Sequence, residues 1–306
     1  METTRSGIQT KAKRQRRGML LMLISVAMFS LMDAALKTLS AHYPPFQVAA
    51  LRGLSSLPLV LAWALWTVGA MPLLRVRWPL HLLRGVLGIA MMASFVYALK
   101  RLPLSTAYSI FFVAPLLITA LSVPILGEKV GPRRWTAIAI GLVGVLVVLR
   151  PTGVGMMSMA GLAVLVAATG YAVSAITVRV LARTDSTQAI TFWLLALMAL
   201  GAGALAFPNW VPLRAQDAWI IGGIGVAGAL GQYTITEAFR LGEASLIAPL
   251  EYTALLWGVL LDLTLWGVLP DSFTWLGAAI IIASGLYLIR RENMHGESTH
   301  PEAEHP

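Results

Sequence analysis

Residues 97–150, YALKRLPLSTAYSIFFVAPLLITALSVPILGEKVGPRRWTAIAIGLVGVLVVLR, decide the reading of the chain, because the same pattern returns at residues 237–290. A shift of 140 positions, without a gap, places Ala98 on Ala238, Lys100 on Arg240, Ser105 on Ser245, Ala114 on Ala254, Leu116 on Leu256, Gly127 on Gly267, Trp135 on Trp275, Ala139 on Ala279, Ile140 on Ile280 and Arg150 on Arg290. About a fifth of the aligned positions are identical, and the matched Gly, Trp and terminal Arg are rarer letters than apolar composition supplies, so the pattern marks a duplication.

Composition sets the environment. Of 306 residues 58% are hydrophobic and only 12% charged, with a mean hydropathy of +0.76, which belongs in a bilayer. The net charge of +9 does not read as nucleic-acid binding, because the Lys and Arg sit mainly at the ends of apolar runs instead of on one accessible face. The chain has no cysteine, hence no disulfide framework, thiol nucleophile or thiolate metal site.

Residues 1–17 carry Arg5, Lys11, Lys13, Arg14, Arg16 and Arg17 and read as a disordered, basic cytoplasmic arm near anionic lipid. The first apolar run, 18–35, is long enough to span and reads as a retained helix, not a cleaved signal. Further runs cover 46–68, 80–99, 104–126, 133–149, 159–181, 188–207, 216–239, 245–266 and 273–289. At 1.5 Å per residue each is near the ~30 Å of a hydrocarbon layer, and only helices satisfy their own backbone there, so an all-α integral membrane protein of ten transmembrane helices is expected. Residues 18–150 form the first five-helix repeat and 151–291 the second. Five is odd, so the copies must enter from opposite sides as an inverted pair. Charge agrees: the fourth span closes on Glu128-Lys129-Val130-Gly131-Pro132-Arg133-Arg134, whereas residues 268–274 carry no base. With both termini cytoplasmic, all but six of the 23 Lys and Arg residues fall inside; the six are Lys37, Arg52, Lys100, Arg101, Arg150 and Arg214. Residues 292–306 read as a disordered cytoplasmic tail, whose His295, His300 and His305 are spaced wrongly for one helix face and form no metal site.

Several features of this pattern resemble the EamA domain of the drug/metabolite transporter superfamily. They are the Ala98-Leu99-Lys100 turn, Pro115 in mid-helix, the Leu126-Gly127-Glu128 helix end and a glycine-bearing last helix; Ala238-Phe239-Arg240, Pro249 and the helix from Trp275 to Leu288 repeat them. The resemblance covers about residues 18–291 and departs at Val268, where the counterpart of Glu128 is not acidic. It implies ten helices and carriage of small organic solutes. Residues 32–53, MDAALKTLSAHYPPFQVAALRG, look most like a branch that includes carriers of riboflavin, S-adenosylmethionine and other vitamins or metabolites, beside amino-acid exporters.

Charge inside hydrocarbon costs about 2.5–3.5 kcal/mol or more at a helix centre, so each such residue needs a partner or a task. Glu251, about seven residues into the ninth span with no opposite charge near it in sequence, is the leading candidate and could exchange a proton as solute enters and leaves; the alternative is an uncharged acid bonded to a backbone or hydroxyl group. Asp33, Lys37 and Arg52 should lie at similar depth, with Arg52 clasping an anionic group and Asp33 positioning it, or else Asp33 and Lys37 form an interfacial pair. Tyr108, Phe111 and Phe112 in the fourth span, and Tyr252 and Trp257 in the ninth, come from equivalent elements and are candidate cavity walls, with Phe112 and Tyr252 exact counterparts. Asp262 carries a weaker signal, Glu237 with Arg240 reads as a local pair, and His42 and His81 stand alone at span edges. Gly223, Ala227 and Gly231, with Gly222, Gly225 and Gly228, leave the eighth span almost bare on one face, for close packing or for sliding. Pro58, Pro115 and Pro124 should kink their helices, and Pro249 should bend its own little.

No Walker loop, H-E-x-x-H or G-x-S-x-G occurs, so neither nucleotide hydrolysis nor a hydrolase motif is indicated, and no cofactor is expected. The sequence therefore reads as a non-enzymatic, inner-membrane secondary transporter of a small organic metabolite, vitamin or amino acid, working by alternating access with proton coupling through Glu251. An integral-membrane enzyme acting on lipid-linked substrates and a non-transporting scaffold are the rival readings.

Overall fold

The computed structural model describes residues 2–126, 131–149, 158–241 and 248–297. Gly127, Glu128, Arg150, Ser245, His300 and His305 fall outside the described residues, as do the side chains of Arg240, Pro249, Arg290 and His295. The described chain is helical: α1 (Glu2–Ser40), α2 (Pro45–Thr67), α3 (Met71–Leu74), α4 (Trp78–Leu99), α5 (Leu104–Phe111), α6 (Ala114–Leu126), α7 (Pro132–Leu149), α8 (Met159–Leu181), α9 (Thr187–Ala206), α10 (Ala218–Leu241), α11 (Ala254–Trp266) and α12 (Ser272–Glu297). A 3-10 segment, Ala248–Thr253, leads into α11.

Seven helical segments are long and apolar enough to cross a bilayer, among them Pro45–Thr67, Trp78–Leu99 and Leu104–Ile125, while Trp135–Leu149 and Ser272–Tyr287 are shorter apolar stretches. Helix bounds differ from the expected spans in three places. α1 extends back to Glu2 through the residues read as a basic arm; Lys and Arg are good helix formers, and a helix once started extends through them. Likewise α12 reaches Glu297, into the expected tail. The fourth and ninth spans, finally, are not single helices, as set out below.

The helices pack as the duplication requires. Under the 140-residue shift α1, α2, α4 and α7 correspond to α8, α9, α10 and α12. The most extensive contacts are α1 with α10 and α4 with α8, which exchange when the copies are exchanged, together with α2 on α9 and α7 on α12, which map onto themselves. Two of the lesser contacts obey the same rule, α2 with α10 mirroring α4 with α9 and α1 with α11 mirroring α6 with α8, while α2 with α4 has no comparable mirror among the described residues. Glycines make these approaches possible. A Cβ on Gly225 would collide with the Ser55 carbonyl, one on Gly228 would lie 3.0 Å from Ser56 Oγ, and one on Gly231 would lie 3.0 Å from the Phe29 ring. Gly222 and Gly223 face open space, so only part of the bare face of α10 is packed.

Candidate functional site

The two broken spans define the middle of the molecule. α5 ends at Phe111, Phe112 and Val113 turn, and α6 restarts at Ala114 just before Pro115, which has no N–H to continue the ladder. In the second copy the break is a 3-10 run ending at Thr253, with α11 restarting at Ala254. Ala114 and Ala254 are counterparts, so both copies break at the same place. Pro249 thus accompanies a full change of helix type, more than the slight bend expected. The counterparts Phe112 and Tyr252 meet edge to face, with ring centroids 5.1 Å apart. Residues related by a two-fold touch one another only near its axis, so this pair marks the centre. Tyr252 packs on Gly285 of α12, where a Cβ would collide with the phenol oxygen, and that buried oxygen has no partner among the described residues.

Glu251 precedes Tyr252 and is partly exposed, with no hydrogen-bond or ion-pair partner among the described residues. Its field reaches the phenols of Tyr171 and Tyr252. Tyr171 lies 5.4 Å from Phe111, which in turn lies 5.7 Å from Phe95. Sequence reasoning missed Tyr171, whose counterpart is Leu31 and which carries no repeat signal. Trp257, expected in the same wall, instead packs beside Met22, Val26 and Ala238 where α1 meets α10.

A second polar group joins α1, α2 and α5. The Tyr108 phenol donates to Asp33 Oδ2 at 2.9 Å, and its ring closes against Gly258 of α11. Arg52 points its guanidinium at Met92 Sδ, 3.6 Å away, and its charge acts on Asp33 without a direct ion pair among the described residues. Asp33, Arg52 and Tyr108 are therefore brought together. The alternative, an Asp33–Lys37 pair, is not formed among the described residues: one helical turn on, Lys37 turns to Asp262, 3.5 Å away.

Two clasps at opposite ends tie loops to helix starts. His81, expected to stand alone, is buried and lies 2.8 Å from Asp185 Oδ2, which also accepts from Arg77 N at 3.1 Å. Burial acts to raise the Asp185 carboxyl, but hydrogen bonds from Thr184, His81 and the Arg77 N–H outweigh it and hold it below the usual carboxylate range. Nearby, buried Arg84 donates to the Ile190 carbonyl at 2.9 Å. At the other end Tyr43 donates to Asp217 at 2.6 Å, and Arg214 Nε does so at 2.9 Å. Arg77 and Asp217 are counterparts, so the clasps are equivalent in place and unlike in chemistry.

Comparison with known proteins agrees with this two-copy architecture. The family described as EamA-like transporters matches residues 16–150 and 158–291. The chain belongs to this family. Its relatives include the pseudopaline exporter of Pseudomonas aeruginosa, 26% identical over 274 residues, covering 89% of this chain and 96% of that one. The riboflavin transporter of Rhizobium johnstonii is 31% identical over 214 residues, 69% of this chain and 70% of that one. The S-adenosylmethionine uptake transporter of Rickettsia prowazekii is 27% identical over 278 residues, 91% and 94%. A solved crystal structure, 22% identical, shares the fold with a TM-score of 0.63 over 89% of this chain and 97% of that one. This EamA-family chain is thus a multi-pass membrane protein and a metabolite transporter of the drug/metabolite transporter superfamily, which points away from an enzyme.

Proposed function

We propose that this EamA-family protein moves a small organic metabolite across the bacterial inner membrane by alternating access, as an inverted pair of five-helix repeats with both termini in the cytoplasm, and that Glu251 couples the movement to protons. The observation that carries the reading is Glu251 itself: a carboxyl beside the central Phe112–Tyr252 contact, at the break of a membrane helix, with no partner among the described residues. Paired interruptions at corresponding positions of two repeats are where secondary transporters gather substrate and coupling-ion groups. Arg52, whose guanidinium meets only a thioether at hydrogen-bonding distance among the described residues, supplies donors for an anionic group of the solute. Asp33 and Tyr108 position it, and Tyr252, Phe112 and Phe111, with Tyr171, present ring faces to a planar or partly apolar portion. Trp257 stands outside this wall and is assigned to helix packing. Relatives named for riboflavin and S-adenosylmethionine support solutes of this kind: a vitamin, an amino acid or another metabolite.

The test is flux of a panel of labelled metabolites in proteoliposomes, with and without an imposed pH gradient, for the native chain and Glu251→Gln. Gradient-driven flux of one solute, reduced at least about tenfold by the substitution while equilibrium binding of that solute persists, is the expected result. Flux indifferent to both gradient and substitution would remove Glu251 from the mechanism, and no flux of any solute would overturn transport.

A further inference from the structure

Asp262 is the most fully enclosed acid among the described residues in the bundle: its side chain has no exposure, and Lys37 beside it is 14% exposed. Each of its oxygens has work. Oδ1 accepts from Leu104 N at 2.9 Å, and Oδ2 accepts from Ser105 N at 2.8 Å and Ser105 Oγ at 2.7 Å. Those two N–H groups open α5, where Pro103 offers no side-chain cap, so an acid from the second copy caps a helix of the first. Lys37 completes the arrangement. Its ammonium donates to the Leu102 carbonyl at 2.7 Å, faces Asp262 at 3.5 Å and lies 4.6 Å over the Trp266 ring. The ends of α1, α5 and α11 are thereby fastened at one point, and that point joins the two copies.

The equivalent positions in the other copy do not carry this chemistry, and the His81–Asp185 clasp of the opposite end lies between loops and helix starts at different positions. The counterparts of Lys37 and Asp262 under the repeat are Thr177 and Ser122, neither of which ionises. A two-fold backbone that carries this pair at one end and uncharged residues at the equivalent positions of the other has unequal closed states.

We propose that Lys37 and Asp262 form a one-sided latch that holds the outer entrance shut and biases the resting protein toward the arrangement closed at that end. The latch rests on the alternating-access reading, because only there must the outer ends of α1, α5 and α11 part. Opening separates Lys37 from Asp262 and from the Leu102 carbonyl; at the other end Thr177 and Ser122, which stand in their places, form no ion pair to be broken. A solute entering from outside must therefore loosen this cluster before it reaches Asp33 and Tyr108, which lie about one turn farther in on α1 and α5.

The chain has no cysteine, so a single reporter is free of background. Ser30→Cys places a thiol at a buried position about 10 Å along α1 from Lys37. Its reaction with a membrane-impermeant, trimethylammonium-bearing methanethiosulfonate is timed from each side of oriented proteoliposomes. Lys37→Met and Asp262→Asn should each raise labelling from the outer side about tenfold and lower it from the inner side, whereas Lys37→Arg should label like the parent. The reciprocal change distinguishes a shifted equilibrium from a loosened fold, which would raise labelling from both sides and overturn the latch. Unaltered labelling would overturn it as well. Flux of the solute in the same vesicles keeps the two readings apart: labelling that fails while flux persists removes only the latch, and a native chain without flux removes the cycle beneath it.

Discussion

The two copies share a backbone and divide the chemistry. α5 and α6 break at the position where the 3-10 segment gives way to α11, yet Phe111 in the first copy stands where Glu251 stands in the second. The same holds for the other interior ionisable groups: Asp33 corresponds to Val173, Lys37 to Thr177, Arg52 to Phe192 and Asp262 to Ser122. None is duplicated. Duplication supplied the paired interruption and the helix crossings, and substitution afterwards placed each charge once. A symmetric scaffold has two equivalent closed states by construction, so every unpaired charge is a means of making the two states differ.

The strongest challenge to that division is to move the acid. The double substitution Glu251→Phe with Phe111→Glu keeps the composition and transfers the carboxyl to the first copy, between Phe95 and Tyr171. Gradient-driven flux should fall about a hundredfold, because a proton-exchanging group acts only where it meets both solute and its proton path. Flux restored to the native rate would show that either copy can house the acid, and the asymmetry would lose its meaning.

Packing offers a comparison of somewhat smaller effect. Gly88 of α4, facing α9, and Gly225 of α10, facing α2, lie at counterpart crossings, but a Cβ on Gly225 meets the Ser55 carbonyl, whereas one on Gly88 meets the Cδ1 end of the Leu194 side chain at 2.7 Å. Backbone cannot yield as a leucine can. Gly225→Ala should destabilise by about 1–3 kcal/mol, while Gly88→Ala should be offset by better helix propensity, worth up to about 1 kcal/mol. Thermal unfolding in detergent reads both, and equal losses would mean that the two crossings are equally rigid.

Tyr108 has Ala248 as its counterpart, so the Asp33–Tyr108 hydrogen bond also belongs to one copy. Tyr108→Phe removes that donor and keeps the ring against Gly258. A loss of about 1 kcal/mol in solute binding, some fivefold in affinity, is expected, against little change in folding stability. Unchanged affinity would confine Tyr108 to packing.

How much of this was legible in the sequence follows from the range of the interactions. The duplication and the apolar runs are periodic or contiguous, and the matched Trp135 and Trp275 expose them to a simple shift. Pro115 marked one break, because a missing N–H is a local fact, but Pro249 did not announce the 3-10 run that follows it. Glu251 could be singled out because an acid in an apolar run is conspicuous alone. Lys37 could not be matched to Asp262, since local spacing favoured Asp33 one turn away and nothing local specifies a partner on another helix. His81 and Asp185, 104 residues apart, failed for the same reason. Partner choice is set by which helices cross, and that becomes visible only once the two-fold packing is built.

The end clasps carry the smallest test, and it is one of pH. Asp185 is held below the usual carboxylate range by its donors, so it binds a proton less readily folded than unfolded. Its contribution to stability is then fully present above the unfolded value near pH 4 and is lost as pH falls through the lower folded value. Asp185→Asn keeps a carbonyl oxygen for the Arg77 N–H but gives up the charge that the other donors favour. At neutral pH Tm should drop by about 2 °C, and the fall of Tm with acid below pH about 4 should become shallower than in the native chain. An identical acid limb in the variant would mean that Asp185 titrates alike folded and unfolded. The clasp would then owe its hold to the geometry of the Arg77 and His81 hydrogen bonds alone, and the difference in chemistry between the two ends of the molecule would carry no energetic weight there.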